Sequence, residues 1–304
     1  MKSRNISDKI VVTGGGSGGH VSCADAIITE LHERYNLSDS NFLYIGGDFT
    51  TIGGQTRNKA AAIDVGTGAI TDFNPNCSGG VNDLVIGEDT IFLGGYFTAV
   101  GGVPRGHLAA VSIVSGAVTD LVANFSETVW TLQLTGNILY VGGEFHSTSN
   151  DTGRNRIGAI DTETGLATSF NPNANNIVRS TILKDNILYV GGQFTSIGGQ
   201  ARNRIAAVDT TTGLATSFDP NANGSIYVML LSGNILYVAG NFTSIGGQSR
   251  NRLAAIDITT GLVTSFNPNA NNAVWTMILK DNILYVGGDF TTVGGQTRNY
   301  IGAI

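Results

Sequence analysis

Short apolar runs alternate with glycine-rich turns along most of the chain, and the same order of runs returns six times. Each copy has an apolar run that ends in a pair of small residues. The second glycine of this pair recurs every 48 or 49 residues. The six runs are Leu43–Gly47, Phe92–Gly95, Leu139–Gly143, Leu188–Gly192, Leu236–Gly240 and Leu284–Gly288. A fixed period of this length indicates a repeat architecture.

Each copy predicts four short strands, which we call a to d, because turn residues separate four runs rich in branched and aromatic side chains. In the fifth copy the predicted strands are Ile226–Leu231, Asn234–Phe242, Arg252–Asp257 and Leu262–Phe266. Four antiparallel strands in a unit of 40 to 50 residues are typical of a β-propeller blade. We therefore predict an all-β fold, a β-propeller of four-stranded blades. The glycine pair of strand b indicates a close approach of backbone to backbone.

The number of blades follows from the incomplete copies at the two ends of the repeat region. The first copy has strands b, c and d but no evident strand a, and the last copy stops after strand c at Ile304. We predict six blades, with five as the alternative, and we expect the strand Lys9–Thr13 to supply one missing strand. Otherwise the ring is open or the chain is a fragment. An incomplete edge blade also predicts self-association.

The repeats in residues 42–304 resemble a bacterial propeller family of unassigned function with the pattern YVGGxFTxxGG…RxxxAxxDxxTGxxxxFNP, each part of which recurs here in order. This resemblance implies a secreted or surface protein, often an adhesin-like one. The segment Met1–Ile10 is polar and lacks the apolar core of a signal peptide. The sequence as written therefore predicts a cytoplasmic location.

Residues 1–41 share nothing with the repeat and form a predicted first segment. An apolar strand at Lys9–Thr13 leads into the glycine-rich run Gly14–Gly19. The next apolar positions fall on one helical face: Val21, Ala24, Ile28, Leu31 and Tyr35. With the strand that begins at Asn41, this order predicts a strand, a glycine-rich loop, a helix and a strand. Glycine amides at a helix N-terminus suit a phosphate group.

The run Val11–Ser22 resembles the opening of the MurG glycosyltransferase family, which has TGGGSGGHVxPAxAIAxEL followed by YIGG. Cys23 and Asp25 replace the Pro and the Leu of that pattern. The family transfers N-acetylglucosamine from a nucleotide sugar to a lipid-linked cell-wall precursor. The resemblance implies an anion-binding loop, facing the lipid diphosphate, at Gly15, Gly16, Ser17, Gly18, Gly19 and His20.

The MurG resemblance ends at Gly47, within the stretch Tyr44–Gly47 that both patterns share. We interpret this as a gene fusion joined in that stretch. The nucleotide-sugar domain is missing, and group transfer requires donor and acceptor to be held together. An active glycosyltransferase is therefore not expected. The alternative interpretation is that strand 9–13 and the helix are now scaffold for the blades.

The composition excludes several classes of function. The net charge is -6 and no basic stripe is present, so we predict no nucleic-acid partner. The longest apolar runs are strand-sized, which predicts no membrane span. Cys23 and Cys77 are predicted to be free thiols. No histidine cluster, paired carboxylates or clustered calcium ligands are evident, so we predict no catalytic residues, no metal and no cofactor.

One position varies between otherwise similar copies, the second residue of strand a. It is occupied by Asn82, Trp130, Arg179, Tyr227 and Trp275. Strand a is the innermost strand of a blade, so we predict a ligand-binding face made by these five residues, because Trp and Tyr offer large rigid contact areas. The alternative is that they pack against the next blade. Two positions further on stand Leu84, Leu132, Thr181, Met229 and Met277.

Polar residues that recur in every copy are predicted to be structural, as hydrogen bonds or salt bridges between blades. They are the arginines Arg57, Arg105, Arg154, Arg202, Arg250 and Arg298, and the carboxylates Asp64, Asp161, Asp209 and Asp257, with Ser112 in the second copy. The function that we predict is a non-enzymatic scaffold that binds a protein or a glycan through one face. The alternatives are a vestigial MurG-like enzyme and an amplified array with no settled ligand.

Overall fold

The computed structural model describes residues 10–13, as backbone only, together with residues 42–148 and 153–304. Within these ranges the chain is all-β, with 28 strands and no helix. The predicted all-β class is thus confirmed. The predicted helix of the first segment lies outside the described residues. No described helix is long and apolar enough to cross a membrane.

The chain divides into two compact units. The first comprises Met1–Leu139, Ser147–Thr152 and Ile160–Leu166, and the second comprises Tyr140–His146, Gly153–Ala159 and Ala167–Ile304. The division passes through the third of six three-stranded sheets.

The first unit contains two complete sheets, each accompanied by a two-stranded hairpin. Its strands are β1 (Ile10–Thr13), β2 (Phe42–Gly46), β3 (Thr51–Ile52), β4 (Gln55–Thr56), β5 (Ala60–Asp64), β6 (Val81–Ile86), β7 (Thr90–Gly95), β8 (Ala99–Val100), β9 (Val103–Pro104), β10 (Leu108–Ser112) and β11 (Val129–Thr135). The sheet orders are β1–β2–β5 and β6–β7–β10. Strands β6, β7 and β10 are strands a, b and c of the second copy.

Strand β1 takes the place of the strand a that the first copy lacks. It pairs with β2 in parallel, with Ile10 opposite Leu43 and Thr13 opposite Gly46. The equivalent strand of the second copy, β6, pairs with β7 in antiparallel orientation. The predicted contribution of this strand to the first sheet is therefore confirmed at the level of the backbone.

The second unit contains three complete sheets built to the same plan, β14–β15–β18, β19–β20–β23 and β24–β25–β28. The strands after β11 are β12 (Ile138–Gly143), β13 (Ile157–Asp161), β14 (Val178–Lys184), β15 (Ile187–Gly192), β16 (Ser196–Ile197), β17 (Gln200–Ala201), β18 (Ile205–Asp209), β19 (Ile226–Ser232), β20 (Ile235–Gly240), β21 (Ser244–Ile245), β22 (Gln248–Ser249), β23 (Leu253–Asp257), β24 (Val274–Lys280), β25 (Ile283–Gly288), β26 (Thr292–Val293), β27 (Gln296–Thr297) and β28 (Ile301–Ala303). Hairpins β16–β17, β21–β22 and β26–β27 accompany them.

The predicted fourth strand of each copy is reduced to a single bridge. In the fifth copy Ile256 pairs with Val263, and two hydrogen bonds flank this bridge, Asp257 N to Leu262 O and Thr264 N to Ala255 O. The run after Gly261 is short and ends at a proline, which donates no backbone hydrogen bond, and Leu262 is 68% exposed. The prediction of four full strands is therefore corrected to three strands and a bridge.

Aromatic residues of the repeat lie in the hydrophobic core of both units, among aliphatic side chains. The phenylalanine two residues after each glycine pair is fully buried in five copies and 7% exposed in the first. The set is Phe49, Phe97, Phe145, Phe194, Phe242 and Phe290. Two further aromatic residues of the repeat meet edge to face. In the fourth copy the ring centroids of Tyr189 and Phe218 lie 5.4 Å apart, with an angle of 84° between the ring planes. This is a favoured geometry for buried rings.

The glycine pair at the end of strand b is required by close packing. In β15, an added Cβ at Gly191 would lie 2.7 Å from Cγ2 of Ile226, on strand a of the next copy. An added Cβ at Gly192 would overlap the carbonyl oxygen of Ile177. Because this oxygen belongs to the backbone, it cannot move aside as a side chain can. The predicted approach of backbone to backbone is confirmed.

Candidate functional site

The variable position of strand a lies at a β-bulge. In β19 the register runs from Ile226 opposite Gly240 to Val228 opposite Ala239, so Tyr227 has no partner in the ladder. The same shift occurs in β6, β14 and β24. It leaves Asn82, Arg179 and Trp275 without ladder partners in their sheets. A bulge re-aims its side chain and frees it from cross-strand packing, which explains why this position can hold Asn, Arg, Tyr or Trp although the residue before it is Val or Ile in each of these copies.

In the second unit two of these residues form an aromatic stack. The rings of Tyr227 and Trp275 lie 4.3 Å apart between centroids, with an angle of 12° between their planes. Tyr227 is half-buried, whereas Trp275 is 44% exposed. The indole Nε1 of Trp275 donates a hydrogen bond of 2.8 Å to Oδ2 of Asp289. The indole is therefore fixed by one stacking contact and one hydrogen bond, although much of its surface faces solvent.

Arg179 extends this cluster on the neighbouring strand β14. Its guanidinium lies 3.9 Å from the carboxylate of Glu144. Burial lowers the pKa of Arg179, while Glu144 and Tyr227 act in the opposite direction. Burial raises the pKa of the Tyr227 hydroxyl, and the positive charge of Arg179 opposes this shift. At neutral pH the cluster thus combines a cationic guanidinium with a neutral phenol. We call Arg179, Tyr227, Trp275, Glu144 and Asp289 together the bulge face.

The other two predicted residues belong to the first unit. The Nδ2 of Asn82 donates a hydrogen bond of 2.9 Å to the carbonyl oxygen of Val129, on the next strand a. Asn82 is half-buried and holds two successive repeats together, as the packing alternative predicts. Trp130 is also half-buried. The residues two positions further on, Leu84, Leu132, Thr181, Met229 and Met277, are all buried.

A second variable position was missed by the sequence reasoning. It directly follows the glycine pair and is occupied by Asp48, Tyr96, Glu144, Gln193, Asn241 and Asp289. Two of its members belong to the bulge face: Glu144 contacts Arg179, and Asp289 contacts Trp275. The residue at this position differs between the copies, so the sequence carries the same signal here as at the strand a position.

A third position of interest follows the recurring Arg-Asn pair, or its counterpart, and has positive φ in every copy. It is occupied by Lys59, His107, Arg156, Arg204, Arg252 and Tyr300. Positive φ is uncommon for residues of these types. The side chains of Lys59 and the three arginines reach the second variable position. Lys59 Nζ lies 2.6 Å from Oδ1 of Asp48, and Arg204 donates to the carbonyl oxygen of Gln193, as Arg156 does to that of Glu144 and Arg252 to that of Asn241.

The recurring arginines and carboxylates are structural. The guanidinium of Arg202, just after hairpin β16–β17, donates to the carbonyl oxygen of Thr216 at 2.6 Å, which ties the segment before strand c to the residue after the bridge of its own copy. Oδ1 of Asp209 accepts from the backbone nitrogen of Thr212 at 2.8 Å and caps the turn after strand c. The predicted structural role is confirmed, but these contacts lie within one repeat rather than between blades.

The remaining predictions concern the anion-binding loop, the cysteines and metal sites. The anion-binding loop Gly15–His20 lies outside the described residues and stays a prediction. Cys77 is a free, buried thiol, as predicted, and burial raises its pKa to about 12. No group of three or more His, Cys, Asp or Glu side chains that suits a metal ion occurs among the residues described.

Comparison with known proteins supports the repeat architecture. Residues 183–206, 232–254 and 279–301 match the model of a family described as a domain of unknown function (DUF5122) beta-propeller. These segments cover the b-to-c region of the last three copies. A search of curated proteins finds no match. The chain contains β-propeller repeats, whereas the MurG resemblance of the first segment finds no support in these comparisons.

Solved structures of β-propellers resemble the chain at low sequence identity. The WD40 beta propeller domain of Doa1 has 14% identity and a TM-score of 0.51, over 75% of this chain and 67% of that chain. A chain of the Mitotic Checkpoint Complex has 15% identity and a TM-score of 0.55, over 76% of this chain and 68% of that chain. At such identities the similarity establishes the β-propeller fold alone.

Proposed function

We propose that this chain is a recognition scaffold that binds a protein or a glycan through the bulge face. The observation that carries the proposal is Trp275, a large aromatic side chain that is 44% exposed and yet held in place by Tyr227 and Asp289. Fixing a side chain before binding reduces the entropy that association costs. Aromatic residues that are held in this way dominate the energy of many interfaces.

The surroundings of Trp275 suit a partner that combines an apolar surface with polar groups. The outer part of the indole offers apolar area for a sugar ring or an aliphatic side chain. Asp289 and Glu144 accept hydrogen bonds, and Arg179 donates them. No enzymatic role is assigned to this cluster. The glycosyltransferase alternative finds no support in the family match or in the structural neighbours.

Tryptophan fluorescence tests the proposal directly. The chain has two tryptophans, so the variant Trp130→Phe assigns the emission to Trp275. This variant is titrated with cell-wall glycan fragments, with a library of short peptides and with UDP-N-acetylglucosamine. A response to a glycan or a peptide supports the proposal and identifies the class of partner. A response to the nucleotide sugar alone refutes it.

A matched pair of variants places the binding site. Trp275→Ala is expected to weaken binding about 30-fold, because the loss of an aromatic anchor costs about 2 kcal/mol. Ile278 lies on the same strand and is 62% exposed. Ile278→Ala is therefore a control for a non-specific loss of apolar surface and is expected to bind normally. Equal losses in the two variants would contradict the role of the bulge face.

A further inference from the structure

Two polar grooves occur at corresponding junctions between successive repeats. The groove in the first unit has a volume of about 410 Å³ and is lined by Asn58, Lys59 and Asn76, among others. The groove in the second unit has a volume of about 340 Å³, and Asn203, Arg204 and Asn221 occupy the same repeat positions there. Volumes of this size are in the range of small-ligand sites. Their recurrence shows that the repeat itself builds the groove.

The centre of each groove is a pair of asparagine side chains in a fixed arrangement. Nδ2 of Asn203 donates to Oδ1 of Asn221 at 2.9 Å, and Nδ2 of Asn58 donates to Oδ1 of Asn76 at 2.7 Å. The acceptor of each pair has positive φ, 50° at Asn221 and 52° at Asn76. Oδ1 of the donor asparagine and Nδ2 of the acceptor asparagine are not used in this bond and can contact a ligand.

Such a pair is complementary to two neighbouring hydroxyl groups. One hydroxyl donates to the remaining oxygen of Asn203, and the other accepts from the remaining nitrogen of Asn221. Carboxylate side chains are absent from both linings among the described residues, which disfavours a cationic ligand. In the first groove the charge of Lys59 is already paired with Asp48 at 2.6 Å, which disfavours an anionic ligand. A neutral polyhydroxylated ligand therefore fits the first groove best, whereas the second groove is also lined by the guanidinium of Arg204, which donates to the carbonyl oxygen of Gln193.

We propose that these inter-repeat grooves are carbohydrate-binding sites and that the chain engages a neutral polysaccharide at two or more of them. The same asparagine pair recurs as Asn251–Asn269 at 2.6 Å, and as Asn155–Asn173 at 2.8 Å, where Oδ1 of Asn155 also lies 3.2 Å from Nδ1 of His146. Each groove is open and polar, so one sugar binds weakly. Several equivalent sites on one chain raise the affinity for a polymer without any new contact. This proposal does not depend on the bulge face.

Isothermal titration calorimetry tests the proposal with neutral hexasaccharides of glucose, mannose, galactose and N-acetylglucosamine. Inorganic phosphate and a sulfated hexasaccharide form the anionic arm. Binding of a neutral hexasaccharide with two or more sites per chain is expected, together with affinity for the corresponding polysaccharide that is at least tenfold higher. Absence of neutral binding, or binding of the anions alone, overturns the proposal.

Glycine substitutions remove the amides without straining the backbone, because glycine tolerates positive φ. The double variant Asn76→Gly/Asn221→Gly is expected to lose two sites and to bind the polysaccharide at least tenfold more weakly. Asp185 also has positive φ, 52°, but lines neither groove. Asp185→Gly is therefore the matched control and is expected to bind normally. Unchanged binding in the double variant overturns the proposal.

Trp275→Ala separates this proposal from the proposed function. Carbohydrate binding in the grooves is expected to survive this substitution, since Trp275 lines neither groove. If Trp275→Ala abolishes all carbohydrate binding, the bulge face is the glycan site and the groove proposal is wrong. If it abolishes peptide binding alone, both proposals stand.

Discussion

Asp83 places a carboxyl group where most other copies have a hydroxyl, and this makes stability depend on pH. Its Oδ2 accepts from the backbone nitrogen of Leu132 at 2.7 Å, and its Oδ1 accepts from that of Leu84 at 2.9 Å. Burial nevertheless raises its pKa to about 7, against the effect of these two bonds. The equivalent residue Ser180 makes the same contact, since its Oγ accepts from the nitrogen of Met229 at 3.1 Å.

The direction and the size of this pH dependence follow from the difference between the pKa of Asp83 in the folded protein and its pKa in the unfolded chain. The pKa of an aspartate in the unfolded chain is about 3.9. The folded protein therefore binds more protons than the unfolded chain between about pH 4 and pH 7. The free energy of unfolding must fall as the pH rises through this range and level off above it. A shift of about 3 units corresponds to about 4 kcal/mol. This is an upper limit, because Asp83 as a residue is only half-buried.

Asp83→Ser removes the titrating group and keeps one acceptor, as Ser180 does. It gives up one backbone hydrogen bond, at a cost of about 1 kcal/mol. We therefore expect the variant to be more stable than the natural protein by roughly 2–3 kcal/mol at pH 8, within that upper limit. At pH 4.5 we expect it to be equal or slightly less stable. Urea denaturation monitored by circular dichroism, at several pH values from 4.5 to 8, measures both quantities.

Asp209→Ser is the control, because Ser112 occupies the same position in the second copy. Hydrogen bonds from Thr212 lower the pKa of Asp209. Its contribution is present above the pKa of the unfolded chain and is lost as the pH falls through the lower folded value, which is the opposite sign. The reasoning is refuted if the natural protein is equally stable at pH 5 and pH 7.5. It is also refuted if Asp83→Ser retains the slope of the natural protein.

Three further variants and one labelling measurement test the packing of the repeat. Arg202→Lys is expected to destabilise the fold by about 1–2 kcal/mol in thermal denaturation, because lysine cannot reach Thr216 in the same geometry. Arg298→Lys should have little effect, since its guanidinium donates only a long bond of 3.4 Å within the described structure. Gly192→Ala is expected to cost about 3 kcal/mol, because the added methyl group would overlap a carbonyl oxygen just before β14. Cys77, with a pKa of about 12, should resist alkylation at pH 8 until the chain is unfolded. Rapid labelling in the folded state, measured by mass spectrometry, would show that its burial is wrong.

Much of the fold can be predicted from the sequence, because the repeat shows the same physical constraints six times. The spacing of the apolar runs identifies strands a to c, and the glycine pair predicts a contact that the structure places at Ile177 and Gly192. The fourth strand was overestimated. Its residues have suitable propensities, but the run after Gly261 is too short to extend the pairing beyond Val263.

The candidate site is harder to predict, because contacts between copies are not local in sequence. The variable position of strand a could be found by comparing the copies. Tyr227 stacks on Trp275, whereas the side chain of Asn82 donates a hydrogen bond to the carbonyl oxygen of Val129. Both contacts depend on the distance between neighbouring strands, which the sequence does not give. The pairing of Trp275 with Asp289 cannot be predicted from strand a alone, because Asp289 follows strand b, 14 residues further along the chain.

The β-bulge of strand a has a consequence for how such a chain can change. A residue outside the ladder can be replaced without disturbing the pairing of the strands on either side. Every duplication of this repeat therefore supplies one additional position at which selection can change a side chain and leave the strand pairing as it is. A protein engineer can treat Arg179, Tyr227 and Trp275 in the same way, as three exchangeable side chains on a constant framework.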